Sequence, residues 1–318
     1  MPSLCKSSAA SVRPRRQATG TVLFLLAALV AGVITGVSCS AKPAETGQRA
    51  DPQFDTTIAH PAYPDTHPIV LFDEAHNNFH TTFGRYRVFA DLMRYDGYRI
   101  VPNEQPFTAD TLQNAAVLVI ANAVNASDMR DSAFTEAECQ AVQDFVDQGG
   151  SLLLITDHQP FGTAAATLAG RFGVDMSEGV ASDTANETKD GLLFGRDKGL
   201  VADHPVTLGR DESEKVNRVL TFTGQSLIGP PDSIAFVKFA DTAVDTLGPG
   251  QERSARGRAQ GIAFQHGKGR VVVLGEAAEL SAQIYGSEPV GRMGMNVPGC
   301  DNRQMALNIM HWLSGLLN

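Results

Sequence analysis

The chain has few cysteines and few basic side chains. The first shortage excludes a disulfide framework, and the second argues against nucleic-acid binding. It contains four cysteines among 318 residues, and Cys5 and Cys39 lie in the N-terminal segment. The other two, Cys139 and Cys300, could form one disulfide but no disulfide framework. Lys and Arg number 26 against 35 Asp and Glu, which gives a net charge of −9 at pH 7. Such a surface repels phosphate backbones, so nucleic acid is not an expected partner.

Long apolar runs are also absent. The longest run, residues 22–34, has 13 residues, whereas a membrane-spanning helix needs about 20. Four basic residues precede this run: Lys6, Arg13, Arg15 and Arg16. A basic start, a short apolar run and small residues at 36–38 are typical of a secretory signal peptide. We expect residues 1–38 to direct export to the periplasm or outer cell surface, with an uncleaved anchor as the alternative.

The segment after the signal contains a candidate lipidation site and a predicted linker. Cys39 directly follows Ser38, as in the lipobox of bacterial lipoproteins, although Gly36 stands where Leu is usual. Lipidation of Cys39 and plain export therefore both stay open, and membrane contact is expected only through this anchor or the signal. Residues 39–66 contain four prolines among Ala, Thr, Gln and Asp, a composition that predicts a disordered tether. Without residues 1–38 the chain keeps 22 basic and 35 acidic residues, a net charge of −13.

Residues 67–318 show the pattern of one α/β domain. Short apolar runs predict strands at residues 69–72, 99–101, 116–121, 151–156, 234–239, 261–265 and 270–274. Helices are predicted at 81–95, after the capping box Thr135–Glu138, at 162–172, and after Asp301. Apolar strands that alternate with helices indicate a mostly parallel central sheet covered on both faces, with a late β-hairpin at 261–274. Residues 175–232 are polar and weakly periodic. Two interpretations of this stretch remain, a lid and a docking surface.

Polar residues follow four of the predicted strands, and ligands of parallel sheets bind outside the carboxyl ends of the strands. We expect catalytic roles for Asp73, His76, Asp157, His158 and Glu276, and ligand contacts from Glu74, Asn77, His80 and Asn122. Taken singly, each has an ordinary role as a cap or turn residue. Their coincidence on one rim of the sheet favours a ligand site there.

Two chemistries fit this rim. A divalent metal such as Zn²⁺, Mn²⁺ or Fe²⁺ would suit the mixture of His, Asp and Glu. The metal ligands would be His76, Asp157, His158 and Glu276. Without a metal, a carboxylate and an imidazole act as general base and orienter. The pair would be Asp157 with His158 or Glu276 with His76.

Three segments resemble the class I glutamine amidotransferase-like superfamily. They are SLLLITDH at residues 151–158, GKGRVVVLGE at 267–276 and NRQMALNIMHWL at 302–313. The resemblance spans about residues 67–317 and is nearest to exported families of unknown function. It implies a flavodoxin-like three-layer sandwich. Amidotransferases of this type use a Cys after a central strand, with a late His and Glu. Here Asp157 and His158 occupy that turn, which makes thiolate-dependent glutamine hydrolysis improbable.

Two functions therefore stay open. One is an exported hydrolase that acts on a small or carbohydrate-like substrate through the rim residues. The other is a non-catalytic ligand-binding or scaffold domain at the cell envelope. The missing nucleophile and the polar stretch 175–232 favour the second. The sequence contains no Gly-x-Ser-x-Gly elbow, and Cys139 shares a helix face with Val142 and Val146, as a packing residue does.

Overall fold

A computed structural model describes residues 47–287 and 289–318. The predicted signal peptide and Cys39 lie outside these residues. The described residues belong to one compact unit, Ala44–Asn318. Within them, no helix has both the length and the apolar composition to cross a bilayer.

A mixed sheet of nine strands forms the centre of this unit. With strands numbered along the chain, the order is β3 (Arg99–Asn103), β2 (Ile69–Asp73), β4 (Val117–Ala121), β5 (Ser151–Ile155), β16 (Gly269–Leu274), β15 (Ala259–His266), β11 (Leu227–Ile228) and β6 (Asp175–Met176), and β12 (Ile234–Lys238) also pairs with β15. The first five strands of this order are parallel. The others are antiparallel. The structure has the predicted late hairpin as β15 and β16.

Helices cover both faces of the sheet. They are α1 (Arg87–Tyr95), α2 (Ala109–Leu112), α3 (Glu136–Asp147), α4 (Phe161–Arg171), α5 (Pro205–Leu208) and α6 (Asn302–Leu313). Along β4, Val117 and Val119 join the core shared with α1 and α6, whereas Leu118 and Ile120 join the core shared with α3 and α4. Because successive residues of a strand point to opposite faces, a wholly apolar strand needs cover on both sides. The mixed α/β prediction is confirmed.

Smaller sheets surround this centre. They are β1 (Arg49–Ala50) with β17 (Ala282–Tyr285) and β18 (Gly291–Gly294), β8 (Glu187–Thr188) with β9 (Gly191–Gly195) and β10 (Arg218–Thr221), and β7 (Val180–Ser182) with β13 (Val244–Gly248) and β14 (Gln251–Ser254). Three turns of 3₁₀ helix occur at Arg196–Lys198, Glu212–Glu214 and Ala278–Leu280. The polar stretch 175–232 thus consists of short strands and turns, too brief to show a period in the sequence.

One helix start and one helix cap differ from the sequence prediction. Helix α1 begins at Arg87 instead of residue 81, because the carboxylate of Glu74 accepts bonds from the amide and hydroxyl of Thr82 and holds a turn there. Asp301 precedes α6 but does not cap it with its side chain. Its carboxylate instead accepts the amides of Asn217 and Arg218 at 2.8 and 2.9 Å, which joins β10 to the start of α6.

The described part of the predicted tether, residues 47–66, is packed against the domain. Strand β1 pairs with β17, and the buried Asp51 accepts a 3.0 Å bond from the side chain of Asn296. Further along, the hydroxyl of Tyr63 donates to Ser314 at 2.8 Å. The prediction of disorder is wrong for these residues. Composition shows how little apolar area a segment offers, but not that its polar groups find partners in the domain.

Replacing Asp51 tests this docking. Asp51→Ala leaves the buried amide of Asn296 without this acceptor, so we expect the free energy of unfolding in urea to fall by about 1–3 kcal/mol. The exposed Asp65, within the same segment, serves as control. Asp65→Ala should leave the urea midpoint unchanged, and equal midpoints for both variants would contradict the docking.

Candidate functional site

Four parallel strands deliver the predicted site residues to one rim of the sheet. Strands β2, β4, β5 and β16 lie side by side in register, so their carboxyl ends meet at the same edge. The segments that leave this edge begin at Glu74, Asn122, Thr156 and Gly275. Within the rim, the polar side chains form two separate groups.

The first group is the His76 clamp, which consists of Asp73, His76 and Glu138. Nδ1 of His76 donates to Oδ1 of Asp73 at 2.8 Å, and Nε2 donates to Oε1 of Glu138 at 2.9 Å. Two donating ring nitrogens require the imidazolium form. The rings of Phe107 and Phe134 lie with their centres 4.7 Å from the imidazole centre. The clamp therefore joins the loop after β2 to α3 inside an apolar enclosure.

Electrostatics agree with a charged His76. Burial alone lowers the pKa of His76, but the hydrogen bonds and charges of Asp73 and Glu138 outweigh burial and raise it above its ordinary value. Burial likewise raises the pKa of Glu138, and the bonds from Thr135 and His76 reverse this effect and lower it. An ion pair of this kind contributes stability only while both partners carry charge.

Glu138 was missed as a site residue because it also has a local role. Its Oε2 accepts the amide and hydroxyl of Thr135 at 3.0 and 2.7 Å, which is the capping box that the sequence predicts. Its Oε1 is left to receive His76 and the amide of Phe107. The burial of Glu138 at the start of α3 is the only signal that separates this residue from an ordinary cap, and the sequence does not show it.

Other polar residues of the loop after β2 stabilise the conformation of that loop. Asn78 donates to Oδ2 of Asp73 at 3.0 Å, and Glu74 binds Thr82. Asn77 is exposed, with a left-handed φ of 49°, a conformation that Asn tolerates better than most residues. Ligand contacts predicted for Glu74 and Asn77 thus compete with roles in shaping the loop.

The second group is the acid cluster, defined as Asp157, Glu276 and Glu279. Asn122, which has a left-handed φ of 50°, positions Asp157. Its Nδ2 donates to Oδ2 of Asp157 at 2.8 Å, and its Oδ1 accepts the Asp157 amide at 2.9 Å. Asp157 retains some exposed surface, but its Oδ1 is enclosed and has no partner within the described residues.

Burial dominates the protonation of the acid cluster. It raises the pKa of Glu276 to about 8, with a further contribution from the charge of Asp157, although the amides of Ala278 and Thr223 oppose the shift. Those amides donate to Oε1 and Oε2 of Glu276, both at 2.6 Å. Burial also raises the pKa of Asp157, and that of Glu279, whose two oxygens lack partners within the described chain. Glu276 therefore holds a proton at neutral pH.

His80 and Tyr86 lie beside this cluster. The ring of His80 is centred 4.8 Å from that of Tyr86, and burial lowers the pKa of His80 to about 3, so its imidazole is neutral. The hydroxyl of Tyr86 donates to the carbonyl of Ala277 at 2.6 Å. The charges of Glu279, Asp157 and Glu276 add to burial in raising the pKa of Tyr86, which places this phenol near all three acids.

The predicted catalytic pairs are not formed. His76 bonds to Asp73 and Glu138, so it is not the partner of Glu276. Nδ1 of His158 bonds to the carbonyl of Gln159 at 2.8 Å instead of to Asp157. Within the described residues, no three His, Cys, Asp or Glu side chains are grouped to hold a metal ion. The metal set His76, Asp157, His158 and Glu276 is therefore not assembled, because His76 and Glu276 are bound in different groups.

Open cavities lie away from the acid cluster. A cavity of about 590 Å³ is lined by Leu193, Gly195, Arg196, Asp197, Lys198, Asn217 and Arg218. All seven belong to the polar stretch 175–232, which the sequence left open as a lid or docking surface. A second cavity, of about 480 Å³, includes Phe79 of the loop after β2. Neither has Asp157 or Glu276 in its wall.

Solved structures resemble this chain at low sequence identity. No family model and no curated protein matches the chain. The N-terminal domain of mmIFT52 superposes with a TM-score of 0.56, covering 77% of this chain and 97% of that domain at 15% identity. A ThuA-like protein from Bacteroides uniformis reaches 0.43 over 83% of this chain and 95% of its own at 13% identity. A cytoplasmic protein from Salmonella typhimurium reaches 0.46 over 77% and 98% at 13% identity.

ThuA-like proteins have a class I glutamine amidotransferase-like fold. Of these three likenesses, the one to the mmIFT52 domain is near enough to show a common fold. Because the two sequences are only 15% identical, this likeness gives no information about the function of the chain.

The His76 clamp predicts a pH-dependent stability. Because the pKa of His76 is raised in the fold, its contribution is complete below about pH 6.5, the value of an unfolded His, and is lost as the pH rises through the folded value. His76→Ala leaves two buried carboxylates facing each other, and we expect it to lower the free energy of unfolding at about pH 6 by about 3–5 kcal/mol. Urea unfolding between about pH 6 and pH 9 measures both quantities.

A control for this experiment lies on the same rim. His158 is partly exposed and bonds only to a neighbouring carbonyl, so His158→Ala should shift the free energy of unfolding by about 0.5 kcal/mol or less. If the deficit of His76→Ala stays constant across this pH range, the imidazolium does not form in the fold.

Proposed function

We propose that this protein is a non-catalytic binding domain, exported and held at the cell envelope by its N-terminal segment. Its fold is inferred to be flavodoxin-like, of the class I glutamine amidotransferase-like type. The strand order β3, β2, β4, β5, β16 with helices on both faces supports this type of fold. The basic and apolar pattern of residues 1–38 supports export.

One observation supports a non-catalytic role: the two rim residues best suited to acid–base work, His76 and Glu276, are already hydrogen-bonded on both polar atoms. A general base needs a free lone pair within reach of its substrate. Both nitrogens of His76 bond to carboxylates, and both oxygens of Glu276 accept backbone amides. A substrate would have to break these bonds before either residue could transfer a proton.

Nucleophilic catalysis by a thiol also lacks support. Cys139 is buried on α3, and burial raises its pKa to about 11, so its thiol is protonated at neutral pH and is a weak nucleophile. The turn after β5, where amidotransferases carry their Cys, has Asp157 and His158. Both observations favour binding over acyl transfer.

The 590 Å³ cavity of the stretch 175–232 offers a place for a ligand. Its volume suits a small molecule. Arg218 and Asn217 are exposed in its wall and present hydrogen-bond donors, which suit the hydroxyl and carboxylate oxygens of a carbohydrate-like ligand. This cavity is the binding site that we propose.

A glycan array probed with the chain from residue 39 onward tests this site. Arg218→Ala should weaken retention of any bound glycan about tenfold, because a hydrogen bond to a charged group is lost. The matched control is Lys268→Ala, because Lys268 is an exposed basic residue in the turn between β15 and β16 and does not line the cavity. Equal retention by both variants would show that the glycan binds elsewhere.

A hydrolase is the second candidate, favoured by the acid cluster. Asp157 keeps some exposed surface, and the pKa values of Asp157 and Glu276 are both raised. Two carboxyl groups with different environments are a common arrangement for acid–base hydrolysis. The catalytic residues would then be Asp157 and Glu276, with His158 beside them.

Asp157→Asn distinguishes the two candidates. The Asn side chain keeps the bond from Asn122 and removes a charge beside Glu276. An acid whose pKa is raised by folding costs stability above its unfolded pKa, near 3.9, and increasingly so as the pH rises. We therefore expect Asp157→Asn to melt at the same or a higher temperature than the parent at about pH 8, with no difference near pH 4.

Activity is measured on the same samples. Neither protein should release nitrophenol from nitrophenyl esters, phosphates or glycosides. Hydrolysis by the parent that is abolished in a folded Asp157→Asn variant would overturn the proposal and establish the hydrolase.

A further inference from the structure

A basic and aromatic surface borders the carboxyl rim, and the proposed binding function does not use it. It surrounds a cavity of about 480 Å³. We call it the Arg–Phe surface and define it by Arg49, Pro52, Phe79, Phe83, Arg85 and Arg87. Phe79 joins it to the rim, because its amide donates to the carbonyl of Asn122 at 2.9 Å.

The aromatic rings of this surface are unusually exposed. Phe83 keeps 76% of its surface accessible and Phe79 keeps 46%. The guanidinium of Arg85 lies 3.8 Å from the centre of the Phe79 ring, a cation–π contact that holds both side chains at the surface. Exposed aromatic rings beside arginines are a common feature of interaction surfaces.

The Arg–Phe surface carries a cluster of positive charge from three arginines. Within the described residues, no carboxylate forms an ion pair with Arg85 or Arg87, and none of the described lining residues is acidic. The guanidinium of Arg85 also donates to the carbonyls of Gln48 and Phe79, at 3.4 and 3.5 Å. The chain as a whole carries a net charge of −9, so this surface has the opposite sign to the rest and suits an anionic partner.

The N-terminal segment leaves the domain at this surface. Gln48 lines the cavity, and Gly47 is the first described residue. Because residues 47–66 are docked, only residues 39–46 of the predicted 28-residue tether lie outside the described residues. Eight extended residues reach at most about 28 Å. An anchor at Cys39 would therefore hold the Arg–Phe surface within this distance of the bilayer, and an anchor that ends at residue 34 would allow about 42 Å over twelve residues.

We propose that the Arg–Phe surface contacts the headgroups of anionic phospholipids, with Arg85 and Arg87 on the phosphates and Phe83 in the interface. The contact orients the carboxyl rim of the sheet towards the membrane. This inference rests on the envelope anchoring in the proposed function. Phenylalanine and arginine are both favoured at bilayer interfaces, where the ring is buried and the cation remains hydrated.

Sedimentation with vesicles tests the contact. The probe is the chain from residue 39 with Cys39→Ser, so that no acyl group contributes, mixed with phosphatidylglycerol–phosphatidylcholine vesicles. We expect it to sediment with these vesicles and to remain in solution with pure phosphatidylcholine. Each of Arg85→Ala and Arg87→Ala should lower the partition coefficient about fivefold, and added salt should lower it further.

Matched variants separate this surface from general charge and hydrophobicity. Phe83→Ala should reduce sedimentation, whereas Phe222→Ala, an aromatic residue that is 38% exposed outside the surface, should not. Lys268→Ala removes one positive charge at the opposite end of the sheet and should have no effect. Arg87 is exposed, so its variant remains informative if the half-buried Arg85 proves necessary for folding.

Two results would overturn the inference. One is a parent protein that does not bind the anionic vesicles, or binds them equally without Arg87 and Phe83. The other is saturation of the surface by inorganic phosphate with no vesicle binding, which would identify a site for small anions. The mass of the mature chain from an envelope fraction tests the anchoring separately, because processing before Cys39 is independent of the Arg–Phe surface.

Discussion

Parallel pairing of β2, β4, β5 and β16 is the constraint on which the rest of the structure depends. The central residues of these strands are apolar, so helices must cover both faces of the sheet. Their polar residues, Asp73, Ser151 and Arg270, lie at or next to the strand ends. Polar groups are therefore displaced to the strand ends, and parallel pairing brings four such ends to one rim. Since this rim is partly closed to water, its polar groups must find partners in each other or lose their charge.

The rim uses both solutions side by side. In the His76 clamp, α3 brings Glu138 to the second nitrogen of the imidazole, and the charges are kept because they are paired. No cation reaches Glu276 within the described residues. Burial and the charge of Asp157 raise its pKa to about 8 despite two backbone amides, so Glu276 holds a proton at neutral pH. The same burial thus yields a salt bridge at His76 and a neutral acid at Glu276.

The loop after β2 connects this interior to the outer surface. Asp73 and His76 point into the clamp, whereas Phe79, Phe83 and Arg85 of the same loop form the Arg–Phe surface. The docked segment 47–66 borders that surface, so the place where the chain enters the domain and the rim of the sheet lie on neighbouring faces. If the domain is anchored, this arrangement fixes which face lies towards the membrane.

The sequence by itself determined seven strands of the central sheet, the cover on both faces of that sheet and the rim that collects Asp73, His76, Asn122, Asp157 and Glu276. Burial on both faces is visible in the sequence because it produces apolar runs. It also identified Thr135–Glu138 as a cap. Only the tertiary structure decided that Glu138 binds His76, that Glu279 joins Asp157 and Glu276, and that residues 47–66 are docked. Each of these depends on polar contacts between residues distant along the chain, and such contacts are specified by three-dimensional approach and not by any local period.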